Sequence, residues 1–198
     1  MVAYLTYWSG QGNAEIIRLM MAATGEAWVD RVALDESESH LTTPQQMEAM
    51  MAAGLLGFDQ TPLLQIDGLN VVQKMAAVRY LARKHGMYGK DNAEATLIDI
   101  LAEGVADFAS VAGAEDPAEA AAGFAKYLPR LERALGSKPY LAGETISFAD
   151  VLLFHVFTRI GDLAAALVSH PGLALLEKRI RELPSMASYL LWSIHLRP

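Results

Sequence analysis

The residue types most capable of chemistry lie close to the N-terminus. Tyr7 and Trp8 end a short apolar run and lead into Gly10-x-Gly12, which opens into a helical pattern at Asn13. Two readings of this loop follow from its residues. A glycine-rich turn between strand and helix can cradle phosphate on a helix N-terminus. The same two glycines can equally make a tight strand-to-helix turn that leaves the Tyr7 hydroxyl at its mouth. A dinucleotide site would want a third small residue where Glu15 stands, with a ribose-binding acid about 20 residues on. Asp30 and Asp35 fall in that window, but an acid in any such window is common. Tyr7 itself reads either as a hydroxyl donor or as a ring anchored in the core. Tyr4, three residues earlier, points to the opposite face of a strand.

Other chemistries are excluded by composition. The chain has no cysteine, so disulfides, Cys-ligated zinc and a Cys nucleophile are absent. The five histidines (His40, His85, His155, His170 and His195) show no pair at metal-ligand spacing, and no metal site is expected. A net charge of -7 argues against a nucleic-acid partner, which would want clustered Lys and Arg. The most apolar runs, 49–58 and 151–157, are too short to span a bilayer, and no basic leader precedes them. With 53% hydrophobic and 20% charged residues, the 198-residue chain can bury a core. A cytoplasmic protein is the expectation.

The elements that must position Tyr7 follow from periodicity. Residues 2–7 (VAYLTY) predict a strand. Asn13 to Ala23 predict a helix, with Ile16, Ile17, Leu19, Met20 and Ala23 on one face and Gly25 as its stop. Residues 28–34 predict a second strand. The connection 35–57 begins polar and ends Met/Ala-rich, which suggests a short helix near 44–53. Asp67-Gly68 between LLQI and NVVQ is a strong hairpin signal. A helix over 75–85 follows. The order β-α-β, then β-β-α, is not that of a dinucleotide domain, which continues with parallel strands and crossovers.

Beyond residues 84–90 every segment reads as helical. These are 91–112, Pro117 to about 135, a helix opened by the capping box Ser147-x-x-Asp150 before VLLFHVF, and short helices near Pro171 and Pro184. Gly161 and Asp162 are read as weakening the interior of the VLLFHVF helix. The pattern gives a small α/β domain (1–84) and an all-α domain (91–198) of about five helices.

Ordered along nearly the whole chain, several stretches resemble cytosolic glutathione transferases of the alpha/sigma, tyrosine-using type. They are Tyr7-Trp8 with Gly12 and Ala14-Glu15-Ile16-Ile17-Arg18; FDQTPLLQIDGLNVVQ (58–73); RYLARKHGMYGKD (79–91); and YLAGETISFAD (140–150). The resemblance implies a thioredoxin-like first domain, with Thr61-Pro62 cis before strand three, and an all-helical second domain.

It also implies a function. Tyr7 would donate to the sulfur of glutathione and stabilise its thiolate for attack on a hydrophobic electrophile or a peroxide, a detoxification chemistry. Trp8, Asn13, Gln60, Thr61, Pro62, Gln73 and Lys74 would line the glutathione site. Thr61 would offer main-chain groups, and Gln73 with the helix starting near Lys74 would take the γ-glutamyl end. Asp107 would meet the γ-glutamyl amine across a homodimer interface, with Lys126 as an accompanying base and Phe58 as an anchor inserted into the partner. The plain alternatives are a strand-end Gln73, a solvated Asp107 and a core Phe58. The electrophile would sit between Tyr7, Trp8, the Gly10–Gly12 loop and the helix near Phe108, Val111 and Ala112, open because the alpha-type C-terminal helix is not found after LWSIHL. Arg18 is read as structural, paired with Glu15 or an acid of the second domain.

The chain departs from the family pattern at several points. Lys74 replaces the usual Ser or Thr after Gln73, Gln11 and Asn13 stand where basic residues often flank the loop glycine, and Met51 lies near the place of an arginine. These departures imply weaker or differently posed glutathione binding. They leave a non-catalytic binding protein of the same fold as the rival reading; a glutathione-dependent isomerase is a third.

Overall fold

The computed structural model describes residues 2–8, 10–32 and 43–193. The expectations for residues 33–42, including Asp35, His40 and the last two positions of the second strand, lie outside the described residues, as do those for 194–198.

Two compact units emerge, Met1–Leu81 with Ser188–Pro198, and Ala82–Ala187. The first unit is built on a four-stranded sheet in the order β2-β1-β3-β4. β1 (Ala3–Tyr7) runs parallel to β2 (Trp28–Val32), with Ala3 opposite Trp28 and Tyr7 opposite Val32. On its other side β1 pairs antiparallel with β3 (Leu63–Ile66), which pairs antiparallel with β4 (Leu69–Val72). The hairpin lies where Asp67-Gly68 places it. Both residues take positive φ (50° and 80°), as a two-residue turn matched to strand twist requires. An antiparallel pair here rules out a dinucleotide domain and its parallel continuation.

Between β1 and β2 the chain makes a 3-10 turn (Gly12–Ala14) and helix α1 (Glu15–Thr24), stopped by Gly25 at φ 69°. The sequence suggests one apolar face. Instead every residue from Ala14 to Ala22 is buried, Glu15 and Arg18 included. Helix α2 (Thr43–Ala52) matches the short helix expected after Pro44, and α3 (Lys74–Lys84) follows β4 directly.

Six helices follow among the described residues: α4 (Asn92–Ala112), α5 (Pro117–Leu135), α6 (Phe148–Phe157), α7 (Leu163–Leu167), α8 (Pro171–Arg181) and α9 (Pro184–Trp192). Side chains fix most of their starts. Asp91 and Asp116 accept N–H bonds from the first turns of α4 and α5. The capping box at α6 forms in full. Asp150 is buried, accepts from the Ser147 N–H and hydroxyl, and also takes the Leu141 N–H at 2.7 Å. α6 is the core helix of this unit, with Phe148, Leu153, Phe154 and Phe157 buried.

One expectation is corrected. Gly161 and Asp162 do not interrupt α6, which ends at Phe157. Asp162 caps the separate α7 by accepting from Ala165 N–H. An Asp side chain satisfies free N–H groups better at a helix start than in an interior, where it competes with the backbone. No helix among the described residues is long and apolar enough to cross a membrane, and none of their His, Asp and Glu side chains cluster as metal ligands.

Candidate functional site

Tyr7 closes the central strand β1, half-buried, while Ala3 and Leu5 of the same strand are fully buried. Its hydroxyl oxygen accepts the Asn13 backbone N–H at 3.0 Å. Gly12 explains how that approach is possible. A Cβ on residue 12 would lie 2.6 Å from the Tyr7 Oη and 2.7 Å from a ring carbon, and residue 12 has φ +41°. No other residue fits so close to the ring. The Gly10-x-Gly12 loop therefore makes room for a phenol. The phenol accepts from Asn13, leaving its own proton as the donor. Tyr4 lies under the Arg31 guanidinium at 3.9 Å, held in a cation–π contact.

The loop is pinned from behind. Arg18, fully buried on α1, donates from Nη1 to the carbonyls of Gly10 (3.1 Å) and Gln11 (3.3 Å). Its Nε and Nη2 grip both oxygens of Asp30 on β2, at 2.5 and 3.2 Å. Glu15 stands 3.6 Å from the same guanidinium and accepts the Tyr189 hydroxyl at 2.7 Å. Arg18 thus pairs with Glu15, as expected, and with Asp30 of the first unit rather than an acid of the second domain. Burial pushes the Glu15 carboxyl above its usual range, against the hydrogen bond from Tyr189 and the charge of Arg18. The Tyr189 hydroxyl is likewise pushed up, by burial first and then by the Glu15 charge. Burial opposes the Arg18 charge, but the Asp30 hydrogen bonds and charge outweigh it and raise the guanidinium further.

A second group of residues meets the first through Asn13. The Lys74 ammonium, at the start of α3, donates to Asn13 Oδ1 at 2.8 Å. Its neighbour Gln73 sits exposed at the end of β4 with φ 70°, and its Nε2 donates to Gln60 Oε1 at 3.3 Å. Thr61-Pro62 is cis. The β3 ladder starts at Leu63, paired with Thr6 and Val72, so Thr61 lies outside the sheet. Trp8 follows Tyr7 and is 38% exposed.

Tyr7, Asn13, Lys74, Gln73 and Gln60 therefore form one linked surface beside the cis bond: a phenol, an ammonium and three carboxamides. These groups suit an anionic ligand rich in amides. Three other residues singled out from the sequence, Asp107, Lys126 and Phe108, belong to the second unit. Asp107 is exposed on α4, with its carbonyl accepting the Ser110 hydroxyl. Lys126 on α5 rests over the Tyr127 ring. Phe108 does not line a surface. It is fully buried in the helical unit, against Phe124 and Tyr127. Phe58 is 69% exposed, so the core reading of that residue fails.

Sequence reasoning missed the hold of Arg18 on the loop and the reach of Tyr189 to Glu15. A signal for the first existed. Glu15 and Arg18 are the only charges in an otherwise apolar α1, where each must be paired if buried. Nothing in the spacing signals the second, because Glu15 and Tyr189 are 174 positions apart.

Comparison with known proteins places these features in company. Residues 108–191 match the family model described as "Glutathione S-transferase, C-terminal domain". The chain is 34% identical to glutathione S-transferase alpha I of Oryctolagus cuniculus, over 94% of this chain and 86% of that protein. It is 35% identical to glutathione S-transferase alpha-3 of Rattus norvegicus, over 94% and 87%. Among solved structures, the glutathione S-transferase from Ascaris lumbricoides superposes with a TM-score of 0.76 at 25% identity, over 100% of this chain and 98% of that one.

Proposed function

Given that the chain belongs to the glutathione S-transferase family and is a transferase using glutathione as co-substrate, we propose that the Tyr7 hydroxyl donates to the glutathione sulfur and holds it as the thiolate. The observation that carries this is the Asn13 N–H bonded to Tyr7 Oη, with Gly12 packed against the ring. A phenol that accepts a hydrogen bond becomes a stronger donor. A ring wedged by a glycine keeps its oxygen in place.

Energetics support the assignment. A free thiol has a pKa of about 8.5, so little of it is ionised at neutral pH. Lowering it by about two units takes about 2.7 kcal/mol. One hydrogen bond to a charged acceptor, worth about 1.5–3 kcal/mol, supplies most of that. The thiolate then attacks a hydrophobic electrophile. A carbon–sulfur bond forms, and the electrophile's leaving group, or the electron pair of the bond it adds to, carries away the charge. A peroxide is the second class of electrophile.

The remaining roles are proposed on the same footing. Thr61, outside the β3 ladder, offers its main-chain groups to the tripeptide beside Pro62. Gln60 and Gln73 hydrogen-bond the γ-glutamyl end. Lys74 exchanges Asn13 Oδ1 for the γ-glutamyl carboxylate and supplies the point charge where the family pattern has a hydroxyl. Trp8 covers the ligand. The glutathione-binding domain is 1–84 and the helical domain 91–198.

Two copies associate through Phe58, whose exposure suits an aromatic anchor. Asp107 on α4 then meets the amine of glutathione bound to the partner. The protein works in the cytoplasm, in detoxification.

Titrating glutathione and following thiolate absorbance of the complex tests the central claim. Wild type should bind glutathione as thiolate at neutral pH, and Tyr7→Phe should bind it mostly as thiol. Equal thiolate in both variants refutes the role of Tyr7.

A further inference from the structure

We propose that Arg18 is a positioning residue for the Tyr7 hydroxyl, braced on its far side by Glu15 and Tyr189; this rests on the reading of Tyr7 as the thiolate's donor. The loop that wraps the phenol is intrinsically loose. Gly10 and Gly12 both take positive φ, and glycine imposes little restraint of its own. Something else must set where the Asn13 N–H points.

Arg18 does so through rigid peptide planes. Its Nη1 holds the carbonyl oxygens of Gly10 and Gln11. The Gln11 carbonyl also accepts the Glu15 N–H at 3.0 Å. Fixing these two oxygens fixes the planes of the 10–11 and 11–12 peptides. Gly12 and Asn13, which touch the phenol, come next in the chain. The guanidinium cannot drift, because its Nε and Nη2 are spent on both oxygens of Asp30. Glu15 and, behind it, the Tyr189 hydroxyl complete the cage. Trp28 and Trp192 flank the Tyr189 ring at 5.9 Å each and hold it in turn. The chain of contacts runs Tyr189, Glu15, Arg18, loop, Tyr7. Its titratable members other than Tyr7 are Tyr189, Glu15, Arg18 and Asp30.

A buried ion network that served stability alone would lower the melting point when cut and leave the chemistry of the folded fraction unchanged. A positioning network moves the pKa of the bound thiol, since that value reads the alignment of one donor. Arg18→Lys replaces the planar fork by a point charge that cannot serve Asp30 and two carbonyls together.

The expected result is a rise of about one unit in the thiol pKa of bound glutathione, or about tenfold less thiolate below that pKa. Tyr189→Phe, which deletes one oxygen and keeps the packing, should give a smaller rise in the same direction, about threefold in thiolate. It also serves if Arg18→Lys does not fold. Leu176→Ala, a core truncation in the helical unit, should lower stability and leave the thiol pKa where it was.

An unchanged thiol pKa in both network variants, alongside a raised one in Tyr7→Phe, overturns the inference and leaves the Tyr7 reading intact. So does an equal rise in Leu176→Ala. An unchanged pKa in Tyr7→Phe counts against Tyr7 itself.

Discussion

Lys74 Nζ and Asn13 Oδ1 lie 2.8 Å apart although 61 positions separate the residues. The bond ties the start of α3 to the loop after β1. It puts the Lys74 ammonium next to the residue whose N–H reaches Tyr7. Lys74 is exposed, so its contact is worth little in the free protein. Under the role proposed for Lys74, its use comes when an anionic ligand takes the place of Asn13.

Replacing Lys74 by Met should therefore raise KM for glutathione about five- to tenfold, the loss of about 1–1.4 kcal/mol for one partly solvated charge contact. kcat at saturating glutathione should change little. Raising salt should weaken glutathione binding in wild type more than in the variant. A Lys74→Met enzyme with unchanged KM would mean that the ammonium serves only Asn13.

Gly12→Ala should be far more damaging than an ordinary loop substitution. The new methyl would occupy space 2.6 Å from the Tyr7 oxygen, at a φ of +41°. Ring or loop must move, and the Asn13 bond is lost. We expect at least a tenfold fall in kcat/KM and a destabilisation of about 1–3 kcal/mol, read by steady-state kinetics and thermal melting.

Glu15 gives the molecule a pH signature. Its folded-state pKa is raised by burial, so the folded protein holds this proton more tightly than the unfolded chain does. The stability this contributes is present below the unfolded pKa, near 4.5, and is lost as pH rises through the folded value. Glu15→Gln keeps a carbonyl to accept the Tyr189 proton and removes the titration. Unfolding free energies measured between about pH 4 and 7 should therefore fall with rising pH in wild type relative to Glu15→Gln. A difference between the two that stays constant across this range would contradict the assignment.

Asp150→Asn tests the helical unit. The buried carboxylate accepts from Leu141 N–H, Ser147 N–H and the Ser147 hydroxyl, and burial raises its pKa. An amide has one oxygen to offer where the acid has two. Leaving one buried donor unpaired should cost about 1–3 kcal/mol, lowering the melting temperature by several degrees. Activity per folded molecule should be unchanged.

Phe58→Ala should shift the sedimentation of the protein toward the monomer. Phe58 is more exposed than either Trp8 or Trp192. An unaltered dimer would remove the anchor role.

The sequence alone was enough for the strands, the hairpin, the capping box and every described helix but α7, because each rests on local rules. Asp67-Gly68 demands its turn, Ser147 and Asp150 satisfy N–H groups within one helical turn, and Pro117, Pro171 and Pro184 start helices. Tyr7, Gln73 and Thr61-Pro62 came from likeness to a family, not from spacing. What only the tertiary structure decided was who meets whom. It set Lys74 against Asn13, moved Phe108 from a presumed pocket wall into the core, and turned Arg18 from a generic structural charge into the clamp on the Gly10–Gln11 carbonyls. The reason is physical. Periodicity reports which face of an element is apolar, but a buried charge is settled by partners that other elements bring to it. For Arg18 those partners are Asp30 on the next strand and Glu15, itself reached by Tyr189 from the last described helix.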